Sequence, residues 1–170
     1  MKVLNITTAD GETFKAKWDT ALQSLTFQNM LEAMGIEQES NTDDTIPITN
    51  DEVTGENFKK ALVWMEKNRS KPIVQKDDDE DEPVNWNQLD DWEKKFVDMP
   101  VSEMFPLLIT ANFLEIPGLL NLMCKAVALQ IQGKSVEEIR TTFNIEDPKW
   151  SPEELQKLKE ENAWAYEPKK

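Results

Sequence analysis

Apolar residues alternate at the start of the chain and then switch to helical spacing. Leu4 and Ile6 precede Asp10-Gly11, and Phe14 and Ala16 follow it, which is the two-residue period of a β-hairpin closed by a type I′ turn at Asp-Gly. From Thr20 the period becomes helical, with Leu22, Leu25, Met30, Leu31 and Met34 running to Gly35, a fitting residue just past a helix end. Ser24 and Thr26 are points at which this stretch can divide into two short helices. "TIPIT", residues 45 to 49, predicts a short edge strand, because Pro47 cannot donate to a ladder. In "VTGENFKKALVWMEKN", Thr54 is placed as N-cap, and Val53 and Phe58 are placed to staple the entry of a helix. Phe58, Leu62 and Met65 then share one face.

The second half is richer in apolar residues. Residues 104 to 114 have a helical period, although Pro106 must lie in the first turn or bend the backbone. A further helix starts at Pro117 and stops before Gly133. Leu119, Leu120, Leu122, Met123, Val127, Leu129 and Ile131 make it apolar nearly all round, so it is buried on several sides or covered by another chain. Ser135 with Glu138, and Ser151 with Glu154 and Pro152, spell two helix starts. Val136, Ile139 and Phe143 give the first of these helices a thin stripe; Leu155 and Leu158 give one to the second. Stripes so thin hold a short helix rigid only when something packs on them.

Between the two halves lies "QKDDDEDEPVNW", six consecutive acids from residue 77 to 82 in a flexible loop expected at about 74–86. Like charges this dense repel and have nothing to bury. A calcium loop would need spaced carboxylates, a central glycine and a late glutamate, and none of that spacing occurs. The whole chain of 170 residues carries 33 acidic and 19 basic residues, a net charge of −14. That balance argues against nucleic acid and anionic membrane as partners, since both require clustered Lys and Arg. The apolar run at 104–114 is too short to span a bilayer, which takes about 20 residues. The single cysteine, Cys124, cannot form an intramolecular disulfide, which fits an intracellular protein, and amid Leu120, Met123 and Val127 it reads as an inert apolar thiol.

Chemistry for catalysis is missing. There is no histidine, hence no usual general base and no Ser/His or Cys/His pair. Five glycines form no phosphate-cradling motif. No enzyme, cofactor or metal is expected. Of the six tryptophans, Trp64 is expected in the core, while Trp18, Trp86, Trp92 and Trp150 divide between core and surface.

The block "ANFLEIPGLLNLMCKAVALQIQGKSVEEIRTTFNI", residues 111 to 145, followed by "SPEELQKLKEENAW", resembles the S-phase kinase-associated protein 1 family, the adaptors between cullin and F-box proteins in SCF ubiquitin ligases. The opening "ITTADGETF" and "TFQNMLEAMG" also resemble that family, and the acidic run falls where its members carry a charged loop. The resemblance implies an α+β BTB/POZ fold over 1–133, a carboxy-terminal helical extension over 134–170 for F-box binding, and a non-catalytic role in the ubiquitin-dependent degradation of proteins, in cytoplasm and nucleus. It implies cullin contact at Asn112 and Phe113, the latter standing where the family usually has tyrosine. It implies F-box contact at Leu120, Cys124, Val127, Ile131, Ile139, Phe143, Ile145, Leu155, Leu158, Asn162 and Trp164. Val136 stands where the family commonly has proline. The alternative reading is a BTB-fold adaptor or scaffold, similar to elongin C, outside SCF complexes.

Independently of the resemblance, an over-apolar helix followed by two under-supported ones predicts a tail that folds onto a partner, and weak homodimers of the free chain. Trp164 lies roughly 180° around the last helix from Leu155, and Tyr166 within about 20° of it, so both rings cannot pack on one neighbour. Trp164 is therefore expected to clamp another chain.

Overall fold

A computed structural model describes residues 2–39, 45–73, 86–146 and 150–162. The acidic run at 77–82 and the tail aromatics Trp164 and Tyr166 lie outside the described residues. The chain divides into two compact units, Met1–Lys134 and Ser135–Lys170.

The first unit opens with β1 (Val3–Thr7) and β2 (Thr13–Lys17), paired antiparallel with Leu4 opposite Ala16 and Ile6 opposite Phe14. The third strand, β3 (Thr45–Pro47), runs parallel to β1, giving the order β2-β1-β3. Pro47 thus ends an edge strand, as its missing N–H requires. Alternation delivers Leu4, Ile6, Ala16 and Ile46 to the core side.

The hairpin turn corrects the sequence expectation. A type I′ turn needs positive φ at both central residues, whereas only Gly11 has it here, at +86°. The Gly11 N–H donates to the Thr8 carbonyl and the Thr8 N–H to the Glu12 carbonyl, both at 2.9 Å, which closes a three-residue loop with a left-handed glycine last. Asp10 has other work: its carboxylate accepts from the Thr8 hydroxyl and, at 2.8 Å, from the Gly55 N–H. The Thr8 hydrogen bond first, and then that from Gly55, holds the Asp10 carboxyl below its ordinary pKa.

Gly55 opens α3 (Gly55–Asn68), so one hairpin side chain satisfies a free amide at a helix start. Between hairpin and α3 lie α1 (Trp18–Ala21) and α2 (Leu25–Ala33), divided at Ser24, whose hydroxyl accepts from the Phe27 N–H. At the far end of α2, Ile36 donates to Leu31 and Gly35 to Glu32, with Gly35 at φ +64°, a Schellman closure. The α3 helix (Gly55–Asn68) has Thr54 as its cap, and the expected staple residues Val53 and Phe58 are both fully buried. Phe58 meets Phe14 and Phe27 edge-to-face, at 5.2 and 6.1 Å between ring centroids.

After a 3-10 turn at Trp86–Gln88 comes α4 (Asp91–Phe96), which the apolar pattern did not announce. Its signal was a capping box, Asp90 with Glu93. The last two helices of the unit are α5 (Val101–Phe113) and α6 (Pro117–Ile131). Pro106 is the sixth residue of α5, past the first turn where a proline is free of cost. The Ser102 carbonyl therefore gets no partner four residues on, and Ser102 lies at the surface, within reach of solvent. Lys60 of α3 ties α3 to α5 through Glu103 at 2.7 Å and also holds Glu56 at 3.1 Å. Trp64 is buried as expected, Trp18 and Trp92 are half-buried against the core, and Trp86 and Trp150 are exposed.

The second unit contains α7 (Val136–Thr142) and α8 (Pro152–Glu161). Both begin with a complete capping box, Ser135 with Glu138 and Ser151 with Glu154. Neither helix has a buried residue.

Candidate partner-binding surface

Asn112 and Phe113 lie side by side, exposed, in the last turn of α5. What fixes them is a set of hydrogen bonds from the start of α2 to the carbonyls that end α5. The Ser24 hydroxyl donates to Leu114, the Leu25 N–H to Glu115 at 3.0 Å, and the Thr26 hydroxyl to Phe113 at 3.1 Å. Three consecutive residues thus satisfy three consecutive carbonyls, groups that a helix end otherwise leaves free. The same end is closed by Ile116 donating to Ala111 and Glu115 to Asn112, a Schellman pattern whose left-handed residue is Glu115, φ +48°, rather than glycine.

Phe105, Ile109 and Phe113 follow at intervals of four and are all exposed, at 42, 38 and 37%. Residues so spaced share a helix face, and this row is about 12 Å long at 1.5 Å per residue. The sequence reading singled out only its end. The spacing of large apolar residues across Pro106 was the available signal for the rest.

On α6 the candidates Leu120, Cys124, Val127 and Ile131 fall within an arc of about 60°. Leu120 and Val127 are half-buried, and Cys124 and Ile131 are exposed. The adjoining face carries Leu119, Leu122, Met123 and Ala126 into the core. The expectation of a helix buried on several sides or covered by another chain resolves into one buried face and one partly open apolar row. Partial burial pushes the Cys124 thiol above its ordinary pKa, which keeps it protonated and weakly nucleophilic. Gly118 near the start of α6 lies against Trp64: a Cβ there would sit 2.5 Å from the Trp64 ring.

In the second unit, Ile139 and Phe143 are half-buried and one helical turn apart, while Ile145 is exposed. On α8, Leu155 and Leu158 are exposed at 44 and 37%, three residues apart on one face. Asn162 caps the helix end, its side-chain amide donating to the Leu158 carbonyl at 2.8 Å. Trp164 lies outside the described residues.

Among the described residues no cluster of three or more His, Cys, Asp or Glu side chains could hold a metal ion, and no helix is long and apolar enough to cross a membrane. The candidate residues form open apolar rows on helix faces, a geometry for gripping other polypeptides. The first unit, a three-stranded mixed sheet with helices α1 to α6, has the fold of the BTB/POZ class.

Comparison with known proteins narrows the class. Residues 2–70 match the profile of the Skp1 family, tetramerisation domain, and residues 117–165 that of the Skp1 family, dimerisation domain. The chain is 36% identical to the E3 ubiquitin ligase complex SCF subunit sconC of Arthroderma benhamiae, over 96% of its own length and 95% of that protein's. It is 36% identical to the Skp1-related protein of Caenorhabditis elegans, over 95% of this chain and 90% of the other. With SKP1-like protein 11 of Arabidopsis thaliana the identity is 35%, over 98% of each chain. The chain belongs to the Skp1 family.

Proposed function

We propose that this chain is a non-catalytic adaptor subunit of an SCF E3 ubiquitin ligase, joining a cullin to F-box substrate receptors. The observation that carries this reading is similarity along nearly the whole chain to proteins named as SCF subunits, from one end of the POZ half through both carboxy-terminal helices. The dimerisation-domain match spans 117–165 and so takes in α7 and α8, which favours an F-box adaptor over an elongin C-like scaffold.

In this reading the row Phe105, Ile109 and Phe113, with Asn112 beside it, receives the cullin. The rows on α6, α7 and α8, with Trp164, receive the F-box. No bond is made or broken; the protein's contribution is to hold two partners in one assembly, which raises the effective concentration of substrate at the ligase.

The test is reconstitution with an amino-terminal cullin fragment and an F-box domain, read by size exclusion and titration calorimetry. A ternary complex is expected. The double variant Asn112→Ala, Phe113→Ala should lose the cullin and keep the F-box. Failure to bind either partner, or loss of both in the double variant with its fold intact, overturns the assignment.

A further inference from the structure

We propose that the open edge of β2, together with α3, forms a second docking site, one that takes an extended acidic segment of a partner protein as an added strand. Among the described residues β2 pairs with β1 alone, so its other edge is unpaired. The hydrogen-bonded pairs of this hairpin are fixed by Trp18 donating to Lys2 and Thr8 donating to Glu12. Pairs alternate along an antiparallel ladder, so the even residues of β2 bond inward to β1, and the N–H and C=O groups of Thr13, Lys15 and Lys17 point to the open edge.

Beside that edge runs a groove of about 420 Å³ whose far wall is α3. It is lined by apolar Ala16, Leu62 and Val63, and the charged residues at its rim are Lys15, Lys17 and Lys59 against one acid, Glu66. That rim is basic on a chain with a net charge of −14.

Edge lysines commonly serve only to keep strands of like proteins apart. Here that function and docking agree. A second copy would bring Lys15 and Lys17 against Lys15 and Lys17, and like charges directly opposite are unfavourable. A strand with acids at alternate positions would find opposite charge at Lys15 and Lys59, Lys17 being already paired with Glu66 at 2.7 Å, and its other side chains would fall over Leu62 and Val63. The edge therefore discriminates against its own kind and in favour of an acidic strand. Main-chain bonds would supply affinity and the lysine rim would supply choice, the division found wherever a peptide extends a sheet.

The probe is a short synthetic peptide alternating glutamate and valine, titrated into the full chain while amide chemical shifts are followed by NMR. Saturable binding is expected, with the largest shifts at Thr13, Lys15 and Lys17, and with affinity that falls as salt rises. Lys15→Glu with Lys59→Glu should weaken it at least about tenfold while leaving F-box binding unchanged; Lys17 is left intact because it holds Glu66 at 2.7 Å. A peptide of the same charge, N-methylated at alternate amides, should fail to bind. Equal binding of the methylated peptide would show mere charge attraction and overturn the proposal, as would shifts located elsewhere. If neutralising the acids at 77–82 is needed before the peptide binds, the chain's own acidic run is the occupant, and the assignment to a partner falls.

Discussion

The Ser24 hydroxyl accepts the Phe27 N–H at 3.1 Å and donates to the Leu114 carbonyl, so one side chain begins α2 and ends α5, ninety residues apart in the chain. Ser24 is fully buried. Its loss removes an N-cap, worth about 1 kcal/mol. It also leaves a buried carbonyl without a donor, which costs about 1–3 kcal/mol.

Ser24→Ala should therefore lower the free energy of unfolding by about 2–4 kcal/mol, summing those two costs. Urea denaturation of the free chain measures it. Because the same bond fixes the last turn of α5, cullin binding should weaken in the variant while the affinity of an F-box peptide stays within about twofold. Equal weakening of both would show a general loss of fold.

Glu115 offers a contrast of sign. A non-glycine residue at φ +48° is disfavoured by about 1–2 kcal/mol. Glycine removes that strain but gives the unfolded chain more freedom, about 0.4–1 kcal/mol of it. Glu115→Gly should thus be neutral or mildly stabilising in thermal melts, whereas Glu115→Val, β-branched in the same conformation, should melt lower. A melting temperature that drops for glycine and rises for valine would contradict the left-handed assignment.

Gly118→Ala should destabilise the chain despite alanine's better helix propensity. A Cβ placed 2.5 Å from the Trp64 ring forces the indole or the α6 backbone to move. Overpacking of a well-filled core costs about 1–3 kcal/mol, against a propensity gain of at most about 1 kcal/mol. Tryptophan fluorescence and near-ultraviolet circular dichroism should report the displaced ring. The companion variant Gly118→Ala, Trp64→Leu, which makes room, should recover part of the loss.

Glu66 accepts from Lys17 at 2.7 Å and from the Thr20 hydroxyl, and is paired with Arg69 at 2.7 Å. The Lys17 bond first, and then Thr20, holds its carboxyl below the ordinary range. An unfolded glutamate titrates near about 4.3. A pKa lowered in the folded state gives stability that is present above that value and lost as pH falls through the lower folded one. Glu66→Gln should therefore be less stable than the parent near neutral pH, and the two denaturation curves should converge on acidification. With Lys17 and Glu66 more than 40% exposed, the gap should also shrink as salt is added. A gap constant across pH would mean that shape, not charge, makes the contact.

Local patterns in the sequence announced much of this fold. Gly35 and Gly133 fall just beyond helix ends at positive φ, Thr54 caps α3, and two S-x-x-E signatures start α7 and α8, because each feature depends on residues within one helical turn. The hairpin turn was misread because Asp10 is committed to Gly55, forty-five positions away. The left-handed Glu115 was invisible for the same reason: bonds from residues 24 to 26 hold a conformation that local preference would give to glycine. On the surface, the α8 stripe was legible as spacing, whereas spacing alone showed α6 as apolar nearly all round and its four row positions came from the family resemblance; the row Phe105, Ile109, Phe113 runs past Pro106, a residue that local preference places at a helix start.

Leu155 and Leu158 separate a binding role from a structural one. Both are substantially exposed, and α8 buries none of its own residues, so truncating them removes little packing from the free chain. A helix of this length is marginal by itself, and its apolar row gains most when a partner covers it. Removing two leucine side chains from water stabilises the complex by roughly 1.5–3 kcal/mol each. Leu155→Ala with Leu158→Ala should then leave the melting temperature of the free chain within about a degree, while weakening an F-box domain by at least about tenfold. Trp164→Ala should behave likewise, with binding falling far more than stability. If the melting temperature drops and the F-box still binds as before, these side chains anchor the tail to its own protein, and the F-box must be held by the α6 row alone.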